Sequence, residues 1–523
     1  MSWPRADADH CLVTTAQMTT LEQEWLASGL PVPALMDKVG VAMAAWCLNH
    51  PQWLAQGVLV LVGPGHNGGD GLVVARELAQ AHVPVRIWCP LPLQQPLTQE
   101  HYRHVRWLGI PEVEDTPDPG DPALWIEALF GLGQSRPLPA DLAQILEERH
   151  QRQPERLISL DLPAGLDGDS GRPLPGGAAR ARATLTVGLV KRGLVQDAAI
   201  AHVGALHRIE AGVPERLFAP LRTRPVLQVS GADLNTMPRP LAPPAAMKYQ
   251  RGRLLVVAGS DRYRGASLLA LQGAQASGAG SIHAAVPEPV ASTLWQLLPE
   301  LLVSEAVPCN DQRGLDWGLW LHEQRLQRLD AVLLGPGLGE NSAVWESQAG
   351  ALQAFPGLLV LDADGLNQLA SSCQGWHWLR GRKGPTWMTP HSSEFGRLFP
   401  EIHRDQPLEA ARQAADCSGA TVLLKGARTV VASPRGVVRQ LCSGAADAAR
   451  TGLGDVLAGF AAGWGARAVA CGLSGEALST QLTAAALLHA EAARCCTTAS
   501  SASAIVTKLA QDIRSANPWN PCE

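Results

Sequence analysis

The sequence predicts an α/β protein of two domains, each built around a mainly parallel sheet. At 523 residues the chain is too long for one ordinary hydrophobic core. In both halves, short apolar runs end in polar or glycine-rich turns that precede segments of helical period. Prolines accumulate between residues 214 and 244 and indicate a joint near residue 225. We therefore expect domains at residues 1–224 and 225–523.

The composition is typical of a soluble globular chain. Hydrophobic residues make up 46% of the sequence and charged residues 17%, with a formal net charge of -5. This balance gives no basic footprint for nucleic acid or a membrane surface. We find no secretory signal and no apolar run long enough to span a membrane. The 11 cysteines are scattered without a CxxC pair, which favours reduced thiols and a cytoplasmic protein.

The first half begins with helical spacing and then shows a strand, a turn and a helix. Residues 14–46 predict two helices joined by a short loop. Residues 58–62 are entirely apolar and predict a buried parallel strand, which ends in the turn GPGHNGGDG. Gly63, Gly65 and Gly68 match the dinucleotide fingerprint, so a dehydrogenase must be considered. The next predicted strand ends without the acid that such an enzyme needs, and no Walker lysine follows the glycines.

Polar side chains follow three predicted strands of this half. In open parallel sheets, ligands bind outside the carboxyl ends of the strands, so we expect Asn67, Asp70, Glu127 and Asp161 to converge. Asn67, Glu127 and carbonyl oxygens would suit a hard cation, which the sequence does not identify. The alternative for Asp161 is an ordinary turn acid beside Pro163.

The motifs LMDKVGVAM, GPGHNGGDG, EALFGLGQSR and LDLPAGLDGDSG together resemble the N-terminal epimerase half of the bifunctional NAD(P)H-hydrate repair enzymes. The resemblance implies a Rossmann-like domain that binds the hydrated nicotinamide ring. Epimerisation at C6 needs a carboxylate to move a proton or steady a cationic intermediate, and Asp161 is the candidate. The substrate-binding residues carried over are His66, Asn67, Gly68, Gly69, Asp70, Gly131, Leu132, Gly133, Gln134, Ser135, Arg136, Pro137 and Asp161.

The same resemblance implies a potassium ion held by Asn67, Glu127 and Ala164. The chain departs from the family here, because Glu127 stands where the family has Asp and Ala164 where it has Ser. Ala164 offers no hydroxyl, and Glu127 is one methylene longer. His66 also replaces the first Asn of the glycine-rich loop. A non-enzymatic alternative is therefore that this half is a degenerate binding or regulatory module.

The second half repeats the pattern of apolar run, turn and helix five times, with turns that read GSDRYRG, GPGLG, DADGLNQLA, TPHSSEF and KGART. The last apolar run stops at Lys425, and TGLGDVLAGF then opens a predicted helix. Gly452 and Gly454 leave backbone N–H groups unobstructed at its N-terminus, which favours an anion. Asp455 in that turn is either a general base beside a held phosphoryl group or only a helix cap.

These turns resemble the dehydratase half of the same enzymes, which is ribokinase-like, so both halves are expected to be three-layer αβα domains. The likeness extends over essentially the whole chain. Asp455 would deprotonate the substrate hydroxyl, while Lys425 and a magnesium ion offset the charge on the phosphoryl group. His391 could equally be an ordinary loop histidine. The nucleotide-binding residues carried over are Lys425, Gly426, Ala427, Arg428, Thr429 and Gly454, and the substrate contacts are Ala266, Gly337, His391 and Asp455.

The resemblance thus implies a bifunctional enzyme that repairs hydrated NADH and NADPH. The first half would interconvert the R and S hydrates at C6. The second would dehydrate the S hydrate with ADP or ATP and release AMP or ADP and phosphate. The alternative is a ribokinase-like hydroxyl kinase with a degenerate N-terminal module, which would leave phosphate on its product. Homo-oligomerisation is expected from the resemblance alone.

Overall fold

The computed structural model describes residues 3–303, 306–322, 324–339, 345, 349–443, 449–497 and 499–515. They form two compact units, one spanning Ala6–Thr223 and the other beginning at Arg224. Trp3 belongs to the second unit, where its ring is part of the hydrophobic core. The Trp3 carbonyl oxygen there accepts a hydrogen bond from Arg439 Nε at 2.8 Å. The sequence did not predict this placement of the N-terminal segment.

The first unit contains a six-stranded parallel sheet. The strands of the whole unit are β1 (Leu12–Val13), β2 (Val58–Val62), β3 (Val85–Trp88), β4 (Leu124–Ala128), β5 (Leu157–Leu160), β6 (Ala183–Val187), β7 (Val190–Lys191) and β8 (Ala205–Ile209). The sheet has the order β3-β2-β4-β5-β6-β8, while β1 and β7 form a separate parallel pair. The helices are Thr15–Ala27, Val32–Leu48, Pro51–Leu54, His66–Gln80, Pro96–Trp107, Ala140–Arg152 and Ile200–Val203.

Local sequence explains the elements that shape the site in this unit. All five residues of β2 are buried, as expected for a parallel strand covered on both faces. The two predicted N-terminal helices are confirmed, and a capping box starts the first of them. Gln17 N donates to Thr14 Oγ1 at 3.1 Å, and Thr14 N donates to Gln17 Oε1 at 2.9 Å.

The second unit contains a nine-stranded sheet. Its strands are β9 (Val226–Val229), β10 (Arg253–Val257), β11 (Ser281–Ala285), β12 (Ala331–Leu334), β13 (Leu358–Leu361), β14 (Thr386–Met388), β15 (Thr421–Leu424), β16 (Val430–Ala432) and β17 (Val438–Leu441). The order is β11-β10-β12-β13-β14-β15-β16-β17-β9. Strand β16 is antiparallel to both neighbours, and the other pairs are parallel. All five predicted strands are present, but the sequence did not predict β11, β16, β17 or β9, which lies within the proline-rich joint.

Helices border the strands of this sheet. They are Arg264–Ala276, Glu288–Leu297, Trp317–His322, Gly350–Ala354, Ala363–Ser371, Ser392–Leu398, Pro407–Ser418, Leu453–Ala470, Gly475–Arg494 and Ala502–Ser515. Within the described ranges, none of the helices combines the length and the apolar character needed to cross a membrane.

Close packing fixes the helix that carries Asp455. A Cβ on Gly459 would lie 1.8 Å from Ala270 O, and a Cβ on Gly273 would lie 2.2 Å from Val456 O. The helices Leu453–Ala470 and Arg264–Ala276 can therefore approach this closely only because glycine stands at the contacts. This close packing holds the first turn of Leu453–Ala470 in place.

Candidate active sites

The predicted residues of the first unit gather at the carboxyl ends of β2, β4 and β5. A cavity of about 440 Å³ opens there between polar side chains and an apolar wall. Ser135, Arg136 and Pro137 are exposed and do not line it, while Gly68 and Gly69 are buried in the helix turn beside it. The cavity is lined by Glu22, Leu26, Met36, Val39, His66, Asn67, Asp70, Gly131, Leu132, Gly133, Gln134 and Asp161, among others.

Asn67 connects two strand ends and keeps one oxygen unused. Its Nδ2 donates to Phe130 O and to Leu160 O, each at 3.1 Å. Its Oδ1 is buried without a hydrogen-bond partner among the described residues. A Cβ on Gly131 would lie 3.2 Å from Asp161 Oδ2 and 3.6 Å from Asn67 Cβ, so the loop backbone runs directly between these side chains.

Asp161 is held by a buried lysine that the sequence reasoning missed. Its φ is +64°, a left-handed conformation that is uncommon for a residue other than glycine. Lys191 is fully buried, and its Nζ lies 2.5 Å from Asp161 Oδ1. The same ammonium donates to Thr186 Oγ1 at 3.1 Å and to Val187 O at 2.9 Å. All three lysine protons are therefore engaged.

Two further carboxyl groups face Asp161. Burial, and then the charge of Asp161, raises the pKa of Glu22 to about 7, although Lys191 opposes this. Burial also raises the pKa of Asp70 well above its usual range, with added repulsion from Asp161 and Glu22. Three carboxyl groups thus line one cavity, and the buried ammonium group of Lys191 is bound to one of them. Glu22 has no motif around it, so nothing in the sequence pointed to it.

Glu127 is buried beside this cavity, and backbone donors hold it. Its Oε1 accepts from Ala164 N at 2.9 Å, and its Oε2 accepts from Leu129 N at 3.2 Å. Burial raises the pKa of Glu127 to about 8. The Ala164 carbonyl oxygen accepts from Ala179 N at 2.8 Å. In the described part of the chain, no three His, Cys, Asp or Glu side chains are grouped to hold a metal ion.

In the second unit, the predicted residues converge on Lys425 at the end of β15. Its Nζ donates to Asp362 Oδ1 at 2.7 Å, and Thr389 Oγ1 donates to the same oxygen at 2.8 Å. Although burial opposes it, the charges of Asp362 and Glu394 raise the pKa of Lys425. A Cβ on Gly454 would lie 3.7 Å from Lys425 Nζ, so the start of the helix Leu453–Ala470 adjoins the ammonium group.

Asp455 lies in the first turn of that helix. Burial, and then the charge of Asp362, raises its pKa to about 7, while Lys425 opposes the shift. Asp364 and Glu394 add further repulsion. The sequence reasoning did not select Asp362, Asp364 or Glu394, although they lie in the turns DADG and SSEF that it had identified.

His391 caps the helix Ser392–Leu398. Its Nδ1 accepts from Ser393 N at 3.1 Å, so the neutral ring carries its proton on Nε2. That nitrogen lies 3.2 Å from Glu394 Oε1, and Glu394 Oε2 accepts from His391 N at 2.8 Å. Half of the His391 side chain remains exposed, on the loop that pairs with Lys425. The structure therefore gives this histidine a capping role and leaves it open on one side.

The remaining predicted residues lie on neighbouring loops. Gly337 has a φ of +65°, and a Cβ there would lie 2.7 Å from Ala266 Cβ, so these two predicted contacts adjoin each other. Gly339 N donates to Asp364 Oδ2 at 2.9 Å and ties that loop to the carboxyl cluster. The other predicted nucleotide residues, Gly426, Ala427, Arg428 and Thr429, form the connection between β15 and β16.

Comparison with known proteins assigns each unit to a family. A family described as NAD(P)H-hydrate dehydratase matches residues 254–515, and one described as YjeF-related protein N-terminus matches residues 32–193. A solved structure of the ADP/ATP-dependent NAD(P)H-hydrate dehydratase from Bacillus subtilis, co-crystallised with ATP and Mg²⁺, is 23% identical. It covers 55% of this chain and 97% of its own, with a TM-score of 0.44.

Relatives match along both units. The bifunctional NAD(P)H-hydrate repair enzyme Nnr of Synechocystis is 40% identical over 458 residues, covering 86% of this chain and 85% of the relative. The protein of the same name from Gloeobacter violaceus is 41% identical and covers 86% of this chain and 87% of its own. That from Moorella thermoacetica is 32% identical and covers 92% and 91%. The chain belongs to the bifunctional NAD(P)H-hydrate repair enzyme family.

Proposed function

We propose that this chain repairs hydrated NADH and NADPH with two separate active sites. The unit Ala6–Thr223 interconverts the R and S hydrates at C6. The second unit dehydrates the S hydrate and consumes ADP or ATP, releasing AMP or ADP and phosphate. The observation that carries the proposal is Asp455, a partly buried carboxyl at a helix N-terminus beside Lys425, in a chain that also has the Asp161 cavity.

In the first unit, Asp161 contacts the hydrated ring near C6. Its Oδ1 accepts from Lys191 Nζ and, at 3.2 Å, from Val187 N, so the carboxylate is fixed in position before substrate arrives. A positioned carboxylate steadies positive charge that develops on the ring when the bond at C6 loosens. The buried ammonium group of Lys191 supports this role for Asp161 over that of an ordinary turn acid.

Two of the three predicted ligands, Asn67 and Glu127, have side-chain oxygens that suit a potassium ion. The unpartnered Asn67 Oδ1 is an available oxygen, and Glu127 supplies a carboxyl whose oxygens each keep a lone pair. Ala164 offers no side-chain oxygen, and Ala179 N engages its carbonyl. A bound cation would lend positive charge to the strand ends. Asn67 and Glu127 would hold it, and no step at C6 requires Ala164.

In the second unit, Asp455 takes the proton of the C6 hydroxyl while that oxygen attacks the terminal phosphoryl group of the nucleotide. Phosphorylation converts the hydroxyl into a good leaving group, and the lone pair of the ring nitrogen then expels it as phosphate. A proton then leaves C5, which gives the C5–C6 double bond of the reduced nicotinamide. Lys425 offsets the negative charge on the phosphoryl oxygens. The raised pKa of Asp455, which follows from burial and from Asp362, makes this carboxylate a stronger base than an exposed one.

The surroundings of Asp455 also suit magnesium that arrives with the nucleotide. Mg²⁺ keeps several waters and binds through one or two carboxylates together with phosphate oxygens. Asp364 and Glu394, whose charges reach Asp455, would hold it there. The ion would supply positive charge at the phosphoryl group. The residues Gly426–Thr429 and the N–H groups at Gly454 would contact the nucleotide phosphates.

The test is recovery of the near-ultraviolet absorbance of reduced nicotinamide. Purified chain, magnesium and ADP are added to a mixture of both hydrates, with ATP in a parallel reaction and no nucleotide in the control. Two working sites should restore the full absorbance, because epimer exchange feeds the R hydrate into dehydration. Product is also analysed for retained phosphate, which a hydroxyl kinase would leave on it.

Two variants separate the sites. Asp161→Asn should restore only the share of the S hydrate, beyond slow spontaneous exchange, and Asp455→Asn should restore absorbance roughly 10²- to 10⁴-fold more slowly. Recovery of only the S share by the unaltered chain would reduce the first unit to a binding module. No recovery with either nucleotide, or phosphate that stays on the product, would refute the proposal for the second unit.

A further inference from the structure

We infer that Glu22 is the general acid of epimer exchange, facing Asp161 across the cavity, and that exchange proceeds by loss and return of the C6 hydroxyl as water. The inference rests on the epimerase activity proposed above. Glu22 lies on the helix Thr15–Ala27, outside residues 32–193 that the family comparison matched. Nothing in the sequence motifs or in the comparison therefore assigns it a role.

The position of Glu22 supports this role. It lines the same cavity as Asn67, Asp70 and Asp161, and its charge interacts with those of Asp161 and Lys191. Among the described residues, no hydrogen-bond donor and no cation pairs with the Glu22 carboxyl. An unpaired carboxyl on a cavity wall is free to bond to a ligand, whereas a structural carboxyl is normally satisfied by the protein.

Lys191 and Asp161 are unsuited to donate this proton. Lys191 spends its three protons on Asp161, Thr186 and Val187 O, so none remains for substrate. Asp161 is the partner of that ammonium group and serves as the fixed anion. Glu22 therefore faces the negative charge of Asp161 and the positive charge of Lys191, whose protons are all engaged. Asp70 is the other carboxyl of the cavity.

The protonation state of Glu22 agrees with this geometry. Burial and the charge of Asp161 raise its pKa to about 7, so a large share of the molecules carry the proton at neutral pH. Acids work best when their pKa lies near the working pH. Burial also raises the pKa of Asp70 well above its usual range, so the Asp70→Asn variant below tests this second carboxyl directly.

The step balances without a co-reactant. The lone pair of N1 forms a double bond to C6 while the C6–O bond breaks, and the Glu22 proton completes the departing water. The ring becomes a cation as Glu22 becomes an anion, so the charge of the cavity is unchanged. Water then adds to the opposite face of C6, the N1–C6 pair returns to nitrogen, and the released proton returns to a carboxylate of the cavity. The product is the other epimer.

The experiment follows a single hydrate epimer in ¹⁸O-labelled water, without nucleotide. Epimer ratio and ¹⁸O content of the C6 hydroxyl are measured by chromatography and mass spectrometry, against the spontaneous reaction. The unaltered chain should incorporate one ¹⁸O atom for each inversion. Glu22→Gln should slow exchange by roughly 10²- to 10⁴-fold, which is the usual contribution of a general acid. Glu24→Gln, an exposed residue of the same helix, should leave the rate unchanged.

The pH profile and a conservative variant distinguish an acid from a merely structural residue. The unaltered chain should lose rate about tenfold per pH unit above about 7, because only protonated Glu22 acts. Glu22→Gln should not show this loss of rate above about pH 7, and Glu22→Asp should recover part of the rate. Hydrogen exchange of the helix Thr15–Ala27 verifies that each variant is folded.

Three results would overturn the inference. The first is inversion without ¹⁸O uptake, and the second is a folded Glu22→Gln variant with undiminished exchange. The third is that Asp70→Asn no longer loses rate at alkaline pH while Glu22→Gln still does. A different result, no exchange by the unaltered chain, would instead refute the epimerase function itself. The two failures are therefore distinguishable.

Discussion

Replacement of Lys191 tests how strongly its buried ion pair with Asp161 stabilises the first unit. Lys191→Met keeps the apolar stem and removes an ammonium group that is 0% exposed. Asp161, at 7% exposure, would lose its cation while it remains enclosed. Removal of one partner from a buried pair costs roughly 3–5 kcal/mol. The equilibrium constant for unfolding of the first unit should therefore rise by roughly 100- to 4,000-fold, at about tenfold per 1.4 kcal/mol.

A second substitution separates lost charge from lost packing. Lys191→Met/Asp161→Asn has no unpaired charge, so it should be more stable than Lys191→Met by roughly 1–3 kcal/mol.

Hydrogen exchange with mass spectrometry on the whole chain gives the readout. Peptides from β5, β6 and β7 report the first unit, and peptides from Leu453–Ala470 provide an internal control that should not change. Equal protection of Lys191→Met and the unaltered chain, within about 1 kcal/mol, would show that this ammonium does not stabilise Asp161.

Three further predictions concern the two activities. Asp455→Asn should lower the dehydratase rate by roughly 10²- to 10⁴-fold and leave epimer exchange unchanged, because it removes only the base of the second unit. The dehydratase rate is measured on pure S hydrate, and a near-normal rate would exclude Asp455 as the base. Replacement of K⁺ by tetramethylammonium should slow epimer exchange. Ala164→Ser should lower the K⁺ concentration needed for half the maximal rate, because it adds an oxygen ligand. An exchange rate that does not depend on K⁺ would show that the ion has no role at this site. Gly131→Ala places a Cβ 3.2 Å from Asp161 Oδ2 and should impair epimer exchange while sparing dehydration; equal exchange rates in both chains would mean that substrate does not pass this loop.

The sequence predicted the strands that end at the two sites because those strands are buried on both faces. Their continuous apolar runs, such as Val58–Val62, are distinctive, and each one stops at a turn with an evident composition. Strand β9 was not predicted, because its four residues lie among prolines that indicate a linker. Pairing with β17 makes it a strand, and such long-range pairing leaves no local signal.

Within the sites, the residues of the strand-end turns could be predicted, and the residues that set their protonation could not. Lys191 lies in a two-residue strand, and Glu22 lies on an ordinary helix, so neither has a diagnostic neighbourhood in sequence. Their importance arises only when the fold brings them next to Asp161. The reverse holds for Ser135, Arg136 and Pro137, which share a motif with Gly131 but are exposed away from the cavity.

Both units use the same electrostatic arrangement for opposite purposes. In each, a lysine is bound to an aspartate, at 2.5 Å in the first unit and 2.7 Å in the second, and a nearby carboxyl has its pKa raised to about 7 by burial and by that aspartate. Burial, and then the fixed anion, keeps the nearby carboxyl about half protonated near neutrality. Glu22 acts when protonated and Asp455 when ionised, so rising pH should slow epimer exchange and speed dehydration. Repair of a mixture of hydrates needs both steps, and it should therefore be fastest near the pH where these two carboxyl groups titrate, with a different step limiting on each side.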